Sequence, residues 1–408
     1  MSTTPARPPL RQLPRNVWIV TITSFLTDIS SEMVLNLLPL FLANVLGVRT
    51  NVIGLIEGLA ESTASLLKIL SGWISDKLGQ RKGLAVVGYG LSSIAKPLLY
   101  FVTSWWGVLA VRFGDRVGKG IRTAPRDALI ADSIGEEHRG LAYGLHRAGD
   151  TAGAMIGILI ALAVVWFAQA GDVNLERPTF QRVVLFSILP AVLAVLILGF
   201  GAREAQAKKK AELPKLTWAG FDQRFRRFLL VLVLFTLGNS ADAFLILRAQ
   251  ERGLSVLGIL AMLAMFNLVY ALLSGPLGSL SDRIGRERLI TGGWLVYGVL
   301  YLGFALAETA VHIFLLYALY GVYYAAVEGT AKAFVADIVS KEQRGTAFGL
   351  YNAAVGIAVL PASLIAGILW QGLGGWAGFG PAAPFIWGAM LAGTAVLLFR
   401  TWVMTAVE

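Results

Sequence analysis

The chain has 408 residues; 56% are hydrophobic and only 15% charged, against about 25% charged in an ordinary soluble domain. So few polar side chains cannot cover a water-facing surface, the apolar content excludes disorder, and the 45 glycines lack the three-residue period of collagen. Without cysteine there is no disulfide, thiolate metal site or Cys nucleophile, and three histidines do not make a His-rich zinc site, so a polytopic membrane protein is what remains.

In chain order, residues 1–15 read as a polar, Pro-rich tail. The apolar stretch after it is too long for a signal-peptide core and has no small-residue cleavage site, so it is expected to be retained. A crossing helix needs about 20 mainly apolar residues to traverse about 30 Å of hydrocarbon. Six stretches meet this in a first half, 17–46, 51–75, 84–103, 105–131, 140–168 and 183–202. Six more follow at 228–250, 254–280, 289–307, 311–337, 346–372 and 381–403. The long polar insertion 203–227 holds Lys208, Lys209, Lys210, Lys215, Arg224, Arg226 and Arg227, and it separates an N-terminal bundle (16–202) from a C-terminal one (228–408). The expected fold class is an all-α integral membrane protein of twelve helices.

Loop charges set the orientation. Lys77, Arg81, Lys82, Arg139, the 203–227 run, Arg283, Arg286, Arg288, Lys341 and Arg344 fall on one side, and Arg49, Arg177, Arg182 and Arg252 on the other. Both termini are therefore expected in the cytoplasm, with the protein in a cell membrane of the bacterial inner-membrane kind. This asymmetry accounts for most of the net charge of +10, so no nucleic-acid partner is invoked. No Gly-x4-Gly-Lys-Ser/Thr loop is present, so ATP-driven transport is not supported, and no cofactor or metal is expected.

The halves repeat each other. Gly72, Asp76, Gly79, Arg81 and Lys82 lie in a segment matched 206 residues later by Gly278, Asp282, Gly285, Arg286 and Arg288. Ala131-Asp132 through Glu137 to Arg139-Gly140 and Gly144 recur 205 residues later as Ala336-Asp337 through Glu342 to Arg344-Gly345 and Gly349. Two motifs at nearly one offset indicate a duplicated six-helix unit, with a substrate site between the units. The Gly-x3-Asp-x2-Gly-x-Arg-Lys segment resembles the signature loop of the major facilitator superfamily. Arg116-Val-Gly-Lys-Gly120 is similar to the Arg-x3-Gly motif of its drug:proton antiporter branch, although span 5 lacks that branch's Gly-Pro pair. The resemblance implies two pseudo-symmetric bundles, alternating access, and a cavity lined by spans 1, 4, 7 and 10. It also implies a gate latch at Gly72, Asp76, Gly79, Arg81, Lys82, Asp282, Arg139 and Arg344. Asp76 and Asp282 can cap a neighbouring helix N-terminus while the basic residues clamp them.

A charge at a helix centre costs about 2.5–3.5 kcal/mol on insertion scales, so such residues are expected to face a bundle interior. Arg112, Arg116, Lys119, Arg122 and Arg126 fall within about a 120° arc of span 4, a basic stripe. Glu57, Glu61 and Lys68 share a face of span 2, Asp28 and Glu32 one of span 1, and Tyr324, Glu328 and Lys332 one of span 10. Lys68, Lys96, Arg126, Asp127, Arg147 and Asp150 read as packing pairs, and His146 as a packing histidine. Asp28, Glu32, Glu57, Glu61, Arg112, Arg116, Lys119, Asn239, Asp242, Tyr324 and Glu328 are the candidate substrate and proton site. Ser240, Asn267, Tyr323 and Asn352 could complete it. Asp28 and Glu32, one turn apart, can share a proton. Glycines on spans 2, 5, 8 and 11 are expected at close helix crossings, and Pro97, Pro125 and Pro361 at kinks.

The leading function is a secondary transporter, proton-coupled and exporting, that works as a monomer on a small molecule. A membrane enzyme lacks any gathering of nucleophile, base and orienter, and a receptor would carry an added domain. Three substrates compete: a drug-like amphiphile, an organic anion or phosphorylated metabolite facing Arg112, Arg116 and Lys119, and a divalent cation on the carboxylates. The last is disfavoured by the expected lack of an acidic excess.

Overall fold

A computed structural model describes residues 13–135, 138–205, 220–340 and 343–405. Glu137, Lys208, Lys209, Lys210, Lys215, Lys341, Glu342 and most of the 1–15 tail lie outside the described residues. Twelve helical rods follow one another: α1 (Arg15–Val45), α2 (Thr50–Leu78), α3 (Lys82–Ala95, running on through a 3-10 turn Lys96–Tyr100), α4 (Trp105–Asp132), α5 (Arg139–Gln169) and α6 (Arg177–Gly201). The second six are α7 (Gln223–Glu251), α8 (Val256–Ile284), α9 (Arg286–Leu306), α10 (Ala310–Ile338), α11 (Arg344–Gln371) and α12 (Ala383–Val403). They form the two six-helix bundles of the expected fold. Among the described residues, nine rods are long and apolar enough by themselves to cross a membrane, all but α2, α3 and α4. α2 and α4 carry the buried charges described below.

Several rods outrun the predicted spans. α6 starts at Arg177 and α7 at Gln223, so Arg182, Arg224, Arg226 and Arg227, expected in loops, stand on helices. There Arg224 pairs with Glu287 at 3.0 Å, and Arg226 and Arg227 donate to the Phe221 and Trp402 carbonyls at 2.7 and 2.8 Å. Ser104, Ser255 and Thr309 start α4, α8 and α10, each hydroxyl accepting a backbone N–H three residues on. The helix runs on through Pro125 and Pro361, while at Pro97 it tightens into the 3-10 turn. α1 is interrupted at residues 36–37 and α7 at 239–242.

Small residues set the crossings. Gly149, Gly153 and Gly157 of α5 face Thr21, Phe25 and Ile29 of α1, so a Cβ at any of them would strike α1. α2 and α11 form the main seam between the halves, with Gly54 against Ser363, Gly58 against Leu360 and Gly356 against Ser65. The α8 glycines Gly275 and Gly278 mark no crossing, contrary to expectation: nothing lies near a Cβ at either, and the α8–α10 contact instead uses Gly321 of α10.

One end of the molecule is held shut across the halves. Gln250 donates to Asn44 Oδ1 at 2.8 Å and to the Val173 carbonyl at 2.7 Å, and Arg49 donates to the Gln371 carbonyl at 2.9 Å. Toward the other end, which bears the Gly79 and Gly285 turns, the described cross-half bonds reach only as far as Ser62 to the Gly356 carbonyl and Arg147 to Tyr270 and Glu328.

Candidate functional site

The two halves enclose a cavity of about 350 Å³. α1 contributes Glu32 and Asn36, α2 Glu57 and Glu61, α4 Arg112, Arg116 and Lys119, α7 its interrupted stretch Asn239–Asp242, and α10 Tyr324. Of the eleven residues expected here, Asp28 and Glu328 alone are not in its wall. The break in α7 supplies the second-half side. Asn, Ser and Asp compete for backbone hydrogen bonds, and the stretch Gly238-Asn-Ser-Ala-Asp242 interrupts an apolar run. Neither that break nor the interruption of α1 at 36–37, which brings Asn36 and the following Pro39 to the cavity, is marked by the charges and motifs of the sequence.

The basic stripe of α4 is mostly neutralised. Arg112 donates to Glu57 at 2.5 and 3.3 Å, both side chains being buried. Arg116 pairs with Glu61 at 2.9 Å, and Asp115 lies 3.9 Å from Arg112 and 4.0 Å from Arg116. Arg122 lies over the Tyr89 ring at 4.3 Å. Arg126 pairs with its neighbour Asp127 at 2.8 Å and donates to Ser24. Glu32 accepts from Asn36 at 2.9 Å. Asp28 sits outside the wall, within the field of Asp150, Glu32, Arg122 and Arg126. The wall thus holds four carboxylates (Glu32, Glu57, Glu61, Asp242) against three cations, which corrects the expected lack of an acidic excess.

A second compartment of about 270 Å³ shares Asn239, Tyr324 and Val359 with the first. Its wall is Phe235, Trp294, Tyr323, Tyr351 and Glu328. Phe235 stacks on Trp294 at 4.8 Å, and behind them Tyr297 stacks on Tyr301 at 4.0 Å. Tyr297 donates to the Gly238 carbonyl at 3.0 Å, satisfying a helix end opened by the α7 break. The sequence reading missed Phe235, Trp294 and Tyr351; the signal was the density of aromatics in the second half. Asn267 and Asn352 do not join the site, because each donates to the carbonyl four residues back on its own helix.

The expected packing residues divide. Lys96 donates to Ser30 and Ser31 at 2.8 and 3.0 Å, and His146 lies 3.7 Å from Asp150. Arg147 crosses between halves, donating to Tyr270 at 2.8 Å and lying 3.5 Å from Glu328, which Lys332 also approaches at 3.2 Å. Lys68 has no described ion pair.

The signature turns form matching clamps. Arg81 reaches Asp76 at 2.5 Å and Asp132 at 3.0 Å; Arg286 reaches Asp282 at 3.4 Å and Asp337 at 2.6 Å. Arg139 and Arg344 donate to the Ala131 and Ala336 carbonyls at 3.3 and 3.1 Å. Gly79 takes the left-handed conformation (φ 65°) that ends α2, and Gly72 lies against Ala124. The start of α3 is not capped by Asp76, which Arg81 holds. Glu204 caps it instead, accepting from the Arg81 and Lys82 amides at 2.7 and 3.1 Å.

Comparisons agree with this geometry. The sequence profile of the Major Facilitator Superfamily matches residues 20–266 and 228–407. An uncharacterized MFS-type transporter of Methanocaldococcus jannaschii is 37% identical over 94% of this chain and 93% of its own. The multi-drug resistance efflux pump PmrA of Streptococcus pneumoniae is 26% identical over 75% of this chain and 77% of its own. A solved POT family transporter in complex with 5-aminolevulinic acid shares the fold, with a TM-score of 0.81 at 13% identity over 99% of both chains.

Proposed function

The chain belongs to the Major Facilitator Superfamily, a multi-pass membrane transporter of small molecules, and on that premise we propose that it exports an amphiphile in exchange for protons. The observation that carries this is the divided cavity, with one ionic and one aromatic compartment joined at Asn239, Tyr324 and Val359. An amphiphile places its apolar body among Phe235, Trp294 and Tyr323 and its polar head among the charges. A purely anionic cargo is less well served, because Arg112 and Arg116 are already held by Glu57 and Glu61. A divalent cation is less well served too: among the described residues no three acidic or imidazole groups converge to hold one. The likeness to a multi-drug efflux pump supports the same reading.

In this reading the clamp-bearing end faces the cytoplasm with both termini, and the seal at Asn44, Gln250 and Gln371 closes the outer side. Asp28 with Glu32 carries the proton. The Asp76–Arg81–Asp132 and Asp282–Arg286–Asp337 clamps hold each half rigid as it rocks, together with Gly72, Gly79, Lys82, Arg139 and Arg344. The test uses proteoliposomes with an acidic lumen and external ethidium. Ethidium is expected to accumulate, to leave when a protonophore collapses the gradient, and to stop accumulating in Asp28→Asn. Accumulation by Asp28→Asn with unchanged response to the gradient would remove Asp28 from the proton path.

A further inference from the structure

Pairing off the charges of the ionic compartment leaves a remainder. Arg112 belongs to Glu57 and Arg116 to Glu61, while Glu32, which the export reading gives to the proton, accepts from the neutral Asn36. Lys119 and Asp242 have no side-chain hydrogen bond and no ion pair among the described residues, yet both are exposed into the cavity wall. They stand on opposite halves, Lys119 on α4 and Asp242 in the α7 break. Around them the wall carries Arg112 and Arg116 on α4, Glu57 and Glu61 on α2, and Glu32 on α1. Asp242 is the one charged residue that the second half supplies to that wall among the described residues.

From this remainder, and resting on the export reading above, we propose that the cargo head is a zwitterion, its anionic group on Lys119 and its cationic group on Asp242. A charge inside the membrane is costly unless water or a partner meets it, and one bound zwitterion meets both. A simple cation leaves Lys119 unmet, while a simple anion leaves Asp242 unmet among an excess of carboxylates. A zwitterion also touches both halves at once, so its binding draws them together. With the aromatic compartment adjoining, the cargo class is an aromatic body bearing an amine and a carboxylate.

The test uses three fluorescent probes of one shape. These are ε-dansyl-lysine (amine and carboxylate), its methyl ester (amine only) and its Nα-acetyl derivative (carboxylate only). Binding to the purified protein is read by dansyl emission, and uptake is measured in the acidic-lumen proteoliposomes. The wild type should favour the zwitterion over either relative by about tenfold, the scale of one hydrogen bond to a charged group. Lys119→Gln should erase the preference over the ester alone, and Asp242→Asn the preference over the acetyl derivative alone. Lys119→Arg should keep the wild-type ranking. Equal handling of the three probes by the wild type overturns the proposal. So does a Lys119→Gln variant that weakens all three in proportion, since Lys119 would then serve Asp28 or the fold. Gradient-driven accumulation of the dansyl probes with a flat ranking defeats the zwitterion alone; no gradient-driven accumulation of any of the three probes defeats the export reading and this one with it.

Discussion

The two bundles repeat one fold but fill it differently. The first buries Glu57, Arg81, Lys96, Arg112, Asp115, Arg116 and Arg122, and among its described aromatics only Phe41, Tyr89 and Phe180. The second buries Arg248 as its one charged side chain among the described residues, bonded to the Phe304 and Ala305 carbonyls and to Glu251. Its interior is instead a run of rings in stacked, tilted and edge-on contact from Phe235 to Phe385. Ion pairs out of water demand fixed partners, since an orphaned charge is far costlier than an orphaned hydroxyl. Rings give contact area with looser geometric terms. The first bundle is thus the exacting half of the cavity and the second the adaptable half.

That contrast can be broken by substitution. The largest effect is expected for Arg112→Ala, which strands the buried Glu57 carboxylate and should cost about 3–5 kcal/mol, read as a lowered unfolding temperature in detergent. Adding Glu57→Ala should restore most of it; if the double variant is no better than the single, the pair is not what stabilises α2 against α4. Next comes the clamp. Asp76→Asn should lower transport by about tenfold, or 1.4 kcal/mol, with expression nearly unchanged. Asp282→Asn should do less, because its ion pair is longer, at 3.4 against 2.5 Å, and more exposed. Equal losses would show that the two halves latch alike.

In the adaptable half, Tyr297→Phe removes one buried hydrogen bond to Gly238 while keeping the ring stack, so about 1 kcal/mol is expected from the same melting measurement. A loss as large as that of Arg112→Ala would erase the distinction between the halves. The smallest change belongs to Arg147→Gln. Its pair with Glu328 is largely exposed and should contribute about 0–1 kcal/mol to stability. A faster opening between the halves, seen by hydrogen exchange along α5 and α8, is the expected signature.

Much of this was legible beforehand. Length and hydropathy gave the rods, and the doubled Gly-x3-Asp motif gave the two bundles. The 100° stepping of Arg112, Arg116 and Lys119 placed them on one face of one cavity. Pairing was not legible, because helical phase says which face a charge occupies but not which neighbour answers it. Glu57 and Arg112 are 55 residues apart, and Glu204 meets the start of α3 across 122 residues. The break in α7 is latent in Gly238-Asn-Ser-Ala-Asp242, whose polar side chains suit both roles, ligands of a cavity and competitors of the helix. The aromatic compartment escaped because rings carry no charge to make them conspicuous in a membrane helix, where apolar residues are the rule.

The two clamps carry one more lesson, about numbering. One residue, Gln80, stands between Gly79 and Arg81, but Arg286 follows Gly285 directly, and the glycine conformations differ, φ 65° and ψ 24° against φ 94° and ψ 137°. The duplicated unit has therefore lost or gained one residue inside the turn itself, and the change of glycine conformation keeps the guanidinium between its two carboxylates. A strict offset of 206 would assign the work of Arg81 to Glu287, a residue of the wrong sign. A chimaera that transplants one turn into the other bundle must move the whole Gly-to-Arg segment with its own spacing, since the register between the copies slips at that point.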